Sequence, residues 1–135
     1  MKIFKLLIVV LVAFVYYACS NETSHKINGY WQLQHVTYPN GKIEFVDTVF
    51  YAFQNQAVFS FTTLINADST SISYGYLDLP EENQIYIKMD LNHSDPDFLT
   101  LSGWASTNET FVIDFQGNKM EMIDSQERVL QFKRF

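Results

Sequence analysis

The sequence has little cysteine, glycine and proline, and few basic residues. Its single cysteine, Cys19, cannot form an intramolecular disulfide, so a fold held together by disulfides is excluded. Five glycines and three prolines are too few for a collagen-like or low-complexity chain. If Lys2 and Lys5 belong to a cleaved signal, seven of the nine basic residues remain against 15 acidic ones. That balance argues against binding to nucleic-acid phosphates, which requires clustered Lys and Arg.

The sequence also lacks the short motifs that mark common catalytic and cofactor-binding sites. It contains no Gly-x-Ser-x-Gly elbow, no phosphate-binding loop and no His-Glu-x-x-His pair. His93, Asp95 and Asp97 suggest a metal or acid–base cluster, but their spacing fits neither a zinc site nor a calcium loop, and Asp-Pro is ordinary in turns. We therefore predict a protein that is not an enzyme and that uses no metal, cofactor or nucleic-acid partner.

The N-terminal segment has the pattern of an export signal. Lys2 and Lys5 precede an apolar run from Leu6 to Val15, which is too short to span a bilayer. Ala18-Cys19 follows, and a small residue before cysteine at this place resembles the lipobox of bacterial lipoproteins. The resemblance implies cleavage before Cys19, lipid attachment to its sulfur and an anchor in the cell envelope, with the outer membrane as the expected site. An ordinary secretory signal with a chance cysteine is the alternative.

The predicted organisation is a signal peptide over residues 1–18, a lipidated tether over 19–28 and one folded domain over 29–135. From Ile27 onward the dominant hydrophobic period is two, which is typical of half-buried strands. Short turns join the strands, so sequence neighbours are expected to pair antiparallel. Eight such strands predict an all-β fold, an up-and-down barrel.

Two irregularities are expected within the barrel. The apolar row changes phase around Gln34 and His35, which predicts a β-bulge. The alternation stops at residues 94–102, where Ser94 and Pro96 favour a short helical turn that begins at Ser94 and ends by Gly103.

Asp47 interrupts the apolar row of the second predicted strand, which runs from Ile43 to about Gln54. One interpretation makes Asp47 a polar contact inside a binding cavity. The other divides the stretch into two pieces and places Asp47 in an exposed kink between them. The sequence favours the exposed kink.

Gly29-Tyr30-Trp31 at the head of the first strand resembles the Gly-x-Trp signature of lipocalins. The resemblance implies that Gly29 and Trp31 close one end of the barrel and that a basic residue of the last strand packs over the indole. Arg134 or Lys133 fits that role, and Arg128 is less well placed. From lipobox to C-terminus the chain is similar to small bacterial lipocalin-like lipoproteins, although it lacks the disulfide and long C-terminal helix of typical lipocalins.

This similarity implies a membrane-anchored protein that binds a small apolar or amphipathic ligand inside the barrel. The alternative is a barrel filled by its own rings, whose surface docks a protein partner in the envelope. A polar-rimmed cavity favours the first function, and a solid interior with an exposed aromatic patch favours the second. The candidate ligand-binding residues are Asp47, Phe45, Tyr51, Phe53, Phe59, Phe61, Phe111 and Phe115.

Overall fold

The computed structural model describes Lys5 and residues 26–135. The predicted signal peptide, apart from Lys5, and Cys19 with most of the predicted tether lie outside these residues. No helix in the part of the chain described is long and apolar enough to cross a bilayer. The strands are β1 (Gly29–Thr37), β2 (Ile43–Phe45), β3 (Val49–Gln54), β4 (Val58–Asn66), β5 (Ser69–Glu81), β6 (Gln84–Met89), β7 (Asn108–Gln116), β8 (Lys119–Ile123) and β9 (Val129–Arg134). A 3-10 turn (Leu91–His93) and a short helix, α1 (Phe98–Ser102), lie between β6 and β7.

Eight of these strands form a closed antiparallel barrel. β1 pairs with β3, and each strand from β3 to β8 pairs with the next one along the chain. β9 then pairs with β1, which closes the sheet. β2 is a three-residue addition to the far end of β1. The structure confirms the predicted eight-stranded up-and-down barrel with a short helical turn.

The second predicted strand is in fact two strands. β2 ends at Phe45, β3 begins at Val49, and Asp47 is exposed between them. The exposed-kink interpretation is therefore correct, because a carboxylate in a buried apolar row would lose its hydration without a compensating partner. The expectation that Phe45 faces the barrel interior was wrong, since this residue is 81% exposed.

The helical turn also begins later than predicted. α1 follows Asp97, whereas Ser94 terminates the preceding 3-10 turn and donates its hydroxyl to the Asp90 carbonyl at 2.7 Å. The predicted end at Gly103 is confirmed: this residue has φ 72°, and its N–H bonds to the Leu99 carbonyl. Glycine suits that position because L side chains are disfavoured in the left-handed region.

The predicted bulge is present in β1. The pairing of β1 with β9 shifts register between Leu33 and His35. On its other edge β1 pairs with β3 through Gly29–Gln32 and with β2 through His35–Thr37, so the bulge lies where the partner changes. A bulge increases local twist and bends a strand, which helps a sheet to close.

Large apolar side chains from all the barrel strands fill the interior. Each aromatic ring buries roughly 150–250 Å² and dominates the energetics of such a core. Side chains that are completely or almost completely buried include Trp31, Tyr51, Phe53, Phe59, Phe61, Phe111, Phe132, Ile85, Ile87, Met120 and Met122.

Candidate functional site

The end of the barrel where β1 begins is closed by an indole and a guanidinium. Trp31 is fully buried, and its Nε1 donates to the Ile27 carbonyl at 2.8 Å. The Arg134 guanidinium carbon lies 4.1 Å from the centroid of the Trp31 ring. Arg134 also donates to two backbone carbonyls, from Nη1 to Asn28 at 2.7 Å and from Nη2 to Lys26 at 2.6 Å.

Gly29 is required for this arrangement. Its φ is 116°, and a Cβ at this position would lie 2.9 Å from Arg134 Nη1. Only glycine combines that backbone conformation with the close approach of the arginine. Of the basic residues weighed from the sequence, Arg134 is therefore the one that covers Trp31.

Replacing Arg134 with alanine is expected to destabilise the domain by about 2 kcal/mol, because two charge-assisted hydrogen bonds and the cation–π contact are lost together. The Arg134→Lys variant should recover only part of this loss, since lysine cannot form the two-bond fork. Urea unfolding monitored by tryptophan fluorescence measures the effect. Lys133→Ala is the matched control. Lys133 is the exposed residue next to Arg134, and its replacement should change stability by less than about 0.5 kcal/mol.

Trp104 occupies the middle of the barrel, although it comes from the loop between β6 and β7. Its ring is stacked on Phe59 with centroids 5.7 Å apart, and it meets Phe98 and Phe111 edge-on at 4.9 and 5.3 Å. Its Nε1 donates to the Tyr51 hydroxyl at 2.8 Å. Burial raises the pKa of Tyr51 well above its usual value, so the phenol stays neutral. These rings fill the centre of the barrel.

A cleft of about 290 Å³ remains at the opposite, open end of the barrel. Its floor is formed by residues that point into the barrel, including Leu33, Tyr51 and Phe61. Its rim comes from the loops at the open end and from α1. The other lining residues are Val36, Tyr38, Glu44, Val46, Thr48, Val49, Thr63, Thr100, Leu101, Ser102, Gly103 and Arg128.

A buried ion pair stands at the rim of this cleft. Arg128 Nε donates to Asp124 Oδ2 at 2.7 Å, and Asp124 Oδ1 accepts from the backbone N–H groups of Gln126 and Arg128. Burial disfavours the charged guanidinium, but the Asp124 carboxylate outweighs this effect, and the pKa of Arg128 is raised. Arg128 Nη2 makes only a long contact, 3.5 Å, with the Ser102 carbonyl. Arg128 lines the cleft, so a charged guanidinium stands at its rim.

Tyr38 extends the polar rim beside this pair. Its hydroxyl donates to Glu44 Oε2 at 3.0 Å and also interacts with the Arg128 guanidinium. The rim can therefore both donate and accept hydrogen bonds, while the adjoining wall from Val36, Val46 and Leu101 is apolar. This combination suits an amphipathic ligand.

The structure separates the predicted ligand-binding residues. Tyr51 and Phe61 line the cleft floor. Phe45 and Asp47 lie on the exposed surface, outside the barrel interior. The remaining four do not line the cleft. Three of them, Phe53, Phe59 and Phe111, are buried in the core. Phe115 is half-buried at the closed end, where its ring centroid lies 6.0 Å from that of Trp31.

The sequence analysis did not predict the roles of three residues that shape the barrel centre and its open rim. Trp104, Asp124 and Arg128 all lie in connections or at a strand end, where the alternating pattern carries no information on burial. The available signal for the first was a tryptophan outside the predicted strands, since such a large ring is rarely left in water. Asp124 and Arg128 are four residues apart across a turn, which is compatible with an ion pair but does not predict its burial.

The residues considered for a metal site make separate contacts. His93 Nδ1 lies 2.9 Å from Asp90 Oδ2, and this hydrogen bond lowers the pKa of Asp90. Asp95 Oδ2 instead accepts from the Ser71 hydroxyl at 2.7 Å, which lowers the pKa of Asp95. Among residues 26–135 and Lys5, no three His, Cys, Asp or Glu side chains are grouped so as to hold a metal ion. The Asp95 contacts attach the β6–β7 loop to β5.

Comparison with known proteins agrees with this architecture. The chain resembles a lipocalin-like protein from Bacteroides uniformis of known structure, with 27% identity, a TM-score of 0.72 and coverage of 81% of this chain and 98% of the other. An uncharacterized protein from Bacteroides eggerthii shares the fold, with 24% identity, a TM-score of 0.70 and coverage of 81% and 99%. No curated protein matches. The sequence profile of the lipocalin-like domain matches residues 11–135, and the chain therefore belongs to that family.

Proposed function

We propose that this protein binds a small amphipathic molecule in the cleft at the open end of the barrel and does not convert it chemically. The observation that carries the proposal is the cleft itself, an apolar floor and wall beside the polar rim of Arg128, Tyr38 and Glu44. None of its fifteen lining residues is a histidine or cysteine, the side chains that most often act as general base or thiol nucleophile. Membership of the lipocalin-like family supports a binding role.

The volume of the cleft restricts the ligand. About 290 Å³ lies just below the range for small-molecule pockets, roughly 300–1,000 Å³. Because Trp104 and Phe59 fill the barrel centre, a long acyl chain cannot extend down the axis as it would in an empty barrel. The ligand is therefore compact, with a hydrogen-bond acceptor at Arg128 and an apolar part against Val36, Val46 and Leu101.

Filling the cleft with a large side chain is expected to weaken ligand binding without disturbing the core. Thr100 is an exposed residue of α1 that lines the cleft, so its replacement with tryptophan should reduce binding of a compact fluorescent amphiphile such as anilinonaphthalene sulfonate at least tenfold. Fluorescence titration measures the dissociation constant. Leu99→Trp is the matched control, because Leu99 is exposed on the same helix and does not line the cleft. Equal binding by the two variants, or none by the unmodified protein, would contradict the cleft proposal.

We further propose that the protein is anchored in the bacterial envelope, in the outer membrane, through lipid on Cys19. The support is the lipobox-like Ala18-Cys19 after a basic and an apolar segment. Several acyl chains on one cysteine hold a protein on a bilayer without a spanning helix. Intact mass of the membrane-extracted protein tests this, since lipidation adds acyl mass to a chain that begins at Cys19. A Cys19→Ala variant should remain unprocessed.

Docking of a protein partner is the second candidate function. It is favoured by the exposed aromatic residues on the outer face of β1 and β5, namely Tyr30, Tyr74 and Tyr76. Capture of the barrel by an envelope protein that is lost when Tyr74 and Tyr76 are replaced with serine would support it.

A further inference from the structure

The outer side of the barrel carries one continuous face of apolar and aromatic residues. In the sheet register Tyr30, Ala52, Ser60 and Tyr74 form one row across β1, β3, β4 and β5. Phe50 and Ile72 stand in the next row, and the Phe135 ring meets the Phe50 ring edge-on at 5.1 Å. We call these residues the outer aromatic face: Tyr30, Phe50, Ile72, Tyr74 and Phe135.

Most of this face is well exposed, although Phe50 is half-buried, and none of its residues is charged. Tyr30 and Tyr74 are 52% and 46% exposed, and Phe135 is 79% exposed. Between the two tyrosines runs a groove of about 310 Å³, lined by Tyr30, Ala52, Gln54, Val58, Ser60, Thr62, Ile72 and Tyr74, with no charged side chain among them. Tyrosine and phenylalanine with small hydroxyl-bearing neighbours are the composition found at bilayer–water interfaces.

The chain leaves the described domain beside this face. The Lys26 carbonyl is bound by Arg134, and the N–H of the next residue, Phe135, donates to the Tyr30 carbonyl at 3.0 Å. Only six residues, 20–25, separate Lys26 from Cys19. Seven residue steps span at most about 25 Å even when fully extended. A lipid on Cys19 would therefore keep Lys26, which lies beside the closed end and the β1 edge of the outer aromatic face, within that distance of the bilayer.

The distribution of charge agrees with this orientation. The connections at the open end, residues 38–48, 67–68, 90–107 and 124–128, contain eight acidic residues against Lys42 and Arg128. Around the closed end, Lys26, Lys119, Lys133 and Arg134 lie on the β1, β8 and β9 side. The acids there are Glu121 on β8, Asp114 opposite it on β7, and Glu81 and Glu82 at the β5–β6 turn. An anionic membrane surface repels the acidic end and attracts the basic side.

We propose that the outer aromatic face rests in the headgroup region of the membrane, which directs the open-end cleft away from the bilayer. The inference rests on the proposed Cys19 anchor and adds the surface that meets the lipid. The orientation leaves the cleft open to the aqueous compartment, so that ligands enter from water and not from the bilayer.

The test uses the full chain, expressed in a bacterium that lipidates it and reconstituted into vesicles of phosphatidylethanolamine and phosphatidylglycerol. Lipidation consumes the only native thiol, so an introduced cysteine is a unique labelling site. Gln54→Cys places an environment-sensitive fluorophore on the groove, and Asp68→Cys places it in the β4–β5 turn at the open end. With headgroup-proximal spin-labelled lipid, the probe at position 54 is expected to lose at least about half of its fluorescence, and the probe at position 68 almost none.

Two surface variants show whether the aromatic side chains hold this orientation. Tyr30→Ser with Phe135→Ser should reduce quenching at position 54, whereas Leu91→Ser with Leu99→Ser, two exposed apolar residues at the open end, should leave it unchanged. Unfolding midpoints of both variants check that the barrel is intact. If the protein carries acyl mass and floats with the vesicles but both probes are quenched equally or not at all, the orientation is wrong and the anchor stands. Absence of acyl mass would overturn the anchor and the orientation together.

Discussion

The Trp104→Ala variant is expected to lose about 4 kcal/mol of unfolding free energy, the range found when a buried tryptophan or phenylalanine is truncated. The indole contacts Phe98 of α1 and, in the barrel centre, Phe59 of β4 and Phe111 of β7. Phe59 and Phe111 cannot collapse into the space because the closed sheet holds their strands apart. Since domains of this size are stable by only about 5–15 kcal/mol, the loss is a large fraction of the total. Urea unfolding at 25 °C, followed by far-UV circular dichroism, measures it.

The same substitution should also create a binding property. An apolar cavity lined by aromatic rings stays dry and accepts small apolar molecules. The variant is therefore expected to bind benzene-sized probes that the unmodified protein excludes, with an increase in its unfolding temperature in their presence. No loss of stability and no probe binding would show that Trp104 does not fill the barrel centre.

Two milder variants separate packing from hydrogen bonding. Trp104→Phe keeps most of the ring volume but removes the Nε1–H that bonds the buried Tyr51 hydroxyl, which should cost about 1–3 kcal/mol. Adding Tyr51→Phe removes the orphaned hydroxyl and should restore part of that stability. Tyr76→Ala is the surface control, since Tyr76 is 60% exposed, and its loss should be small.

The Arg128→Ala variant is expected to be destabilised by about 3–5 kcal/mol, as when one partner of a buried ion pair is removed. The Asp124 side chain is completely buried, and without Arg128 it would keep only its two backbone N–H partners. Its carboxylate would then be desolvated without a compensating charge. Equilibrium unfolding in urea at pH 7 measures the effect.

A double-mutant cycle decides whether the pair or the residues separately contribute this stability. Asp124→Leu combined with Arg128→Met replaces the pair by apolar groups of similar size and should cost less than either single substitution. Additive effects of the two single changes would contradict a coupled pair. Because Arg128 also lines the cleft, the double variant should lose amphiphile binding even where its stability is largely restored.

Much of the fold follows from local pattern. The alternation of apolar and polar residues predicts strands, and short turns between them permit only antiparallel neighbours, so an eight-stranded up-and-down barrel was predictable. The bulge was also predictable, because the apolar residues change there from odd-numbered to even-numbered positions. Leu33 and Val36, on either side of the change, are both buried. Gly29 and Trp31 could be placed at one end of the barrel because the pair resembles a family signature at the head of the first strand.

The position of the candidate site could not be predicted in the same way. Phe45 and Phe53 have the same parity in one apolar row, yet the first is exposed and the second is buried, because the chain leaves the barrel between them. A period of two tells which residues share a face, but it does not tell where a strand leaves the sheet. The sequence likewise could not decide whether the barrel is empty or filled. That depends on Trp104, which lies outside the strands.

By itself, the sequence determined the fold class, the order of the strands and the bulge, because each depends on neighbours in the chain or in the adjacent strand. The place of Gly29 and Trp31 at the closed end followed from their resemblance to a family signature. Only the tertiary structure decided that Trp104 enters the barrel and that Asp124 and Arg128 are buried together at its rim. The physical reason is that loops obey no period. Whether a loop side chain is buried depends on the space that distant strands leave, which is decided when the whole barrel closes.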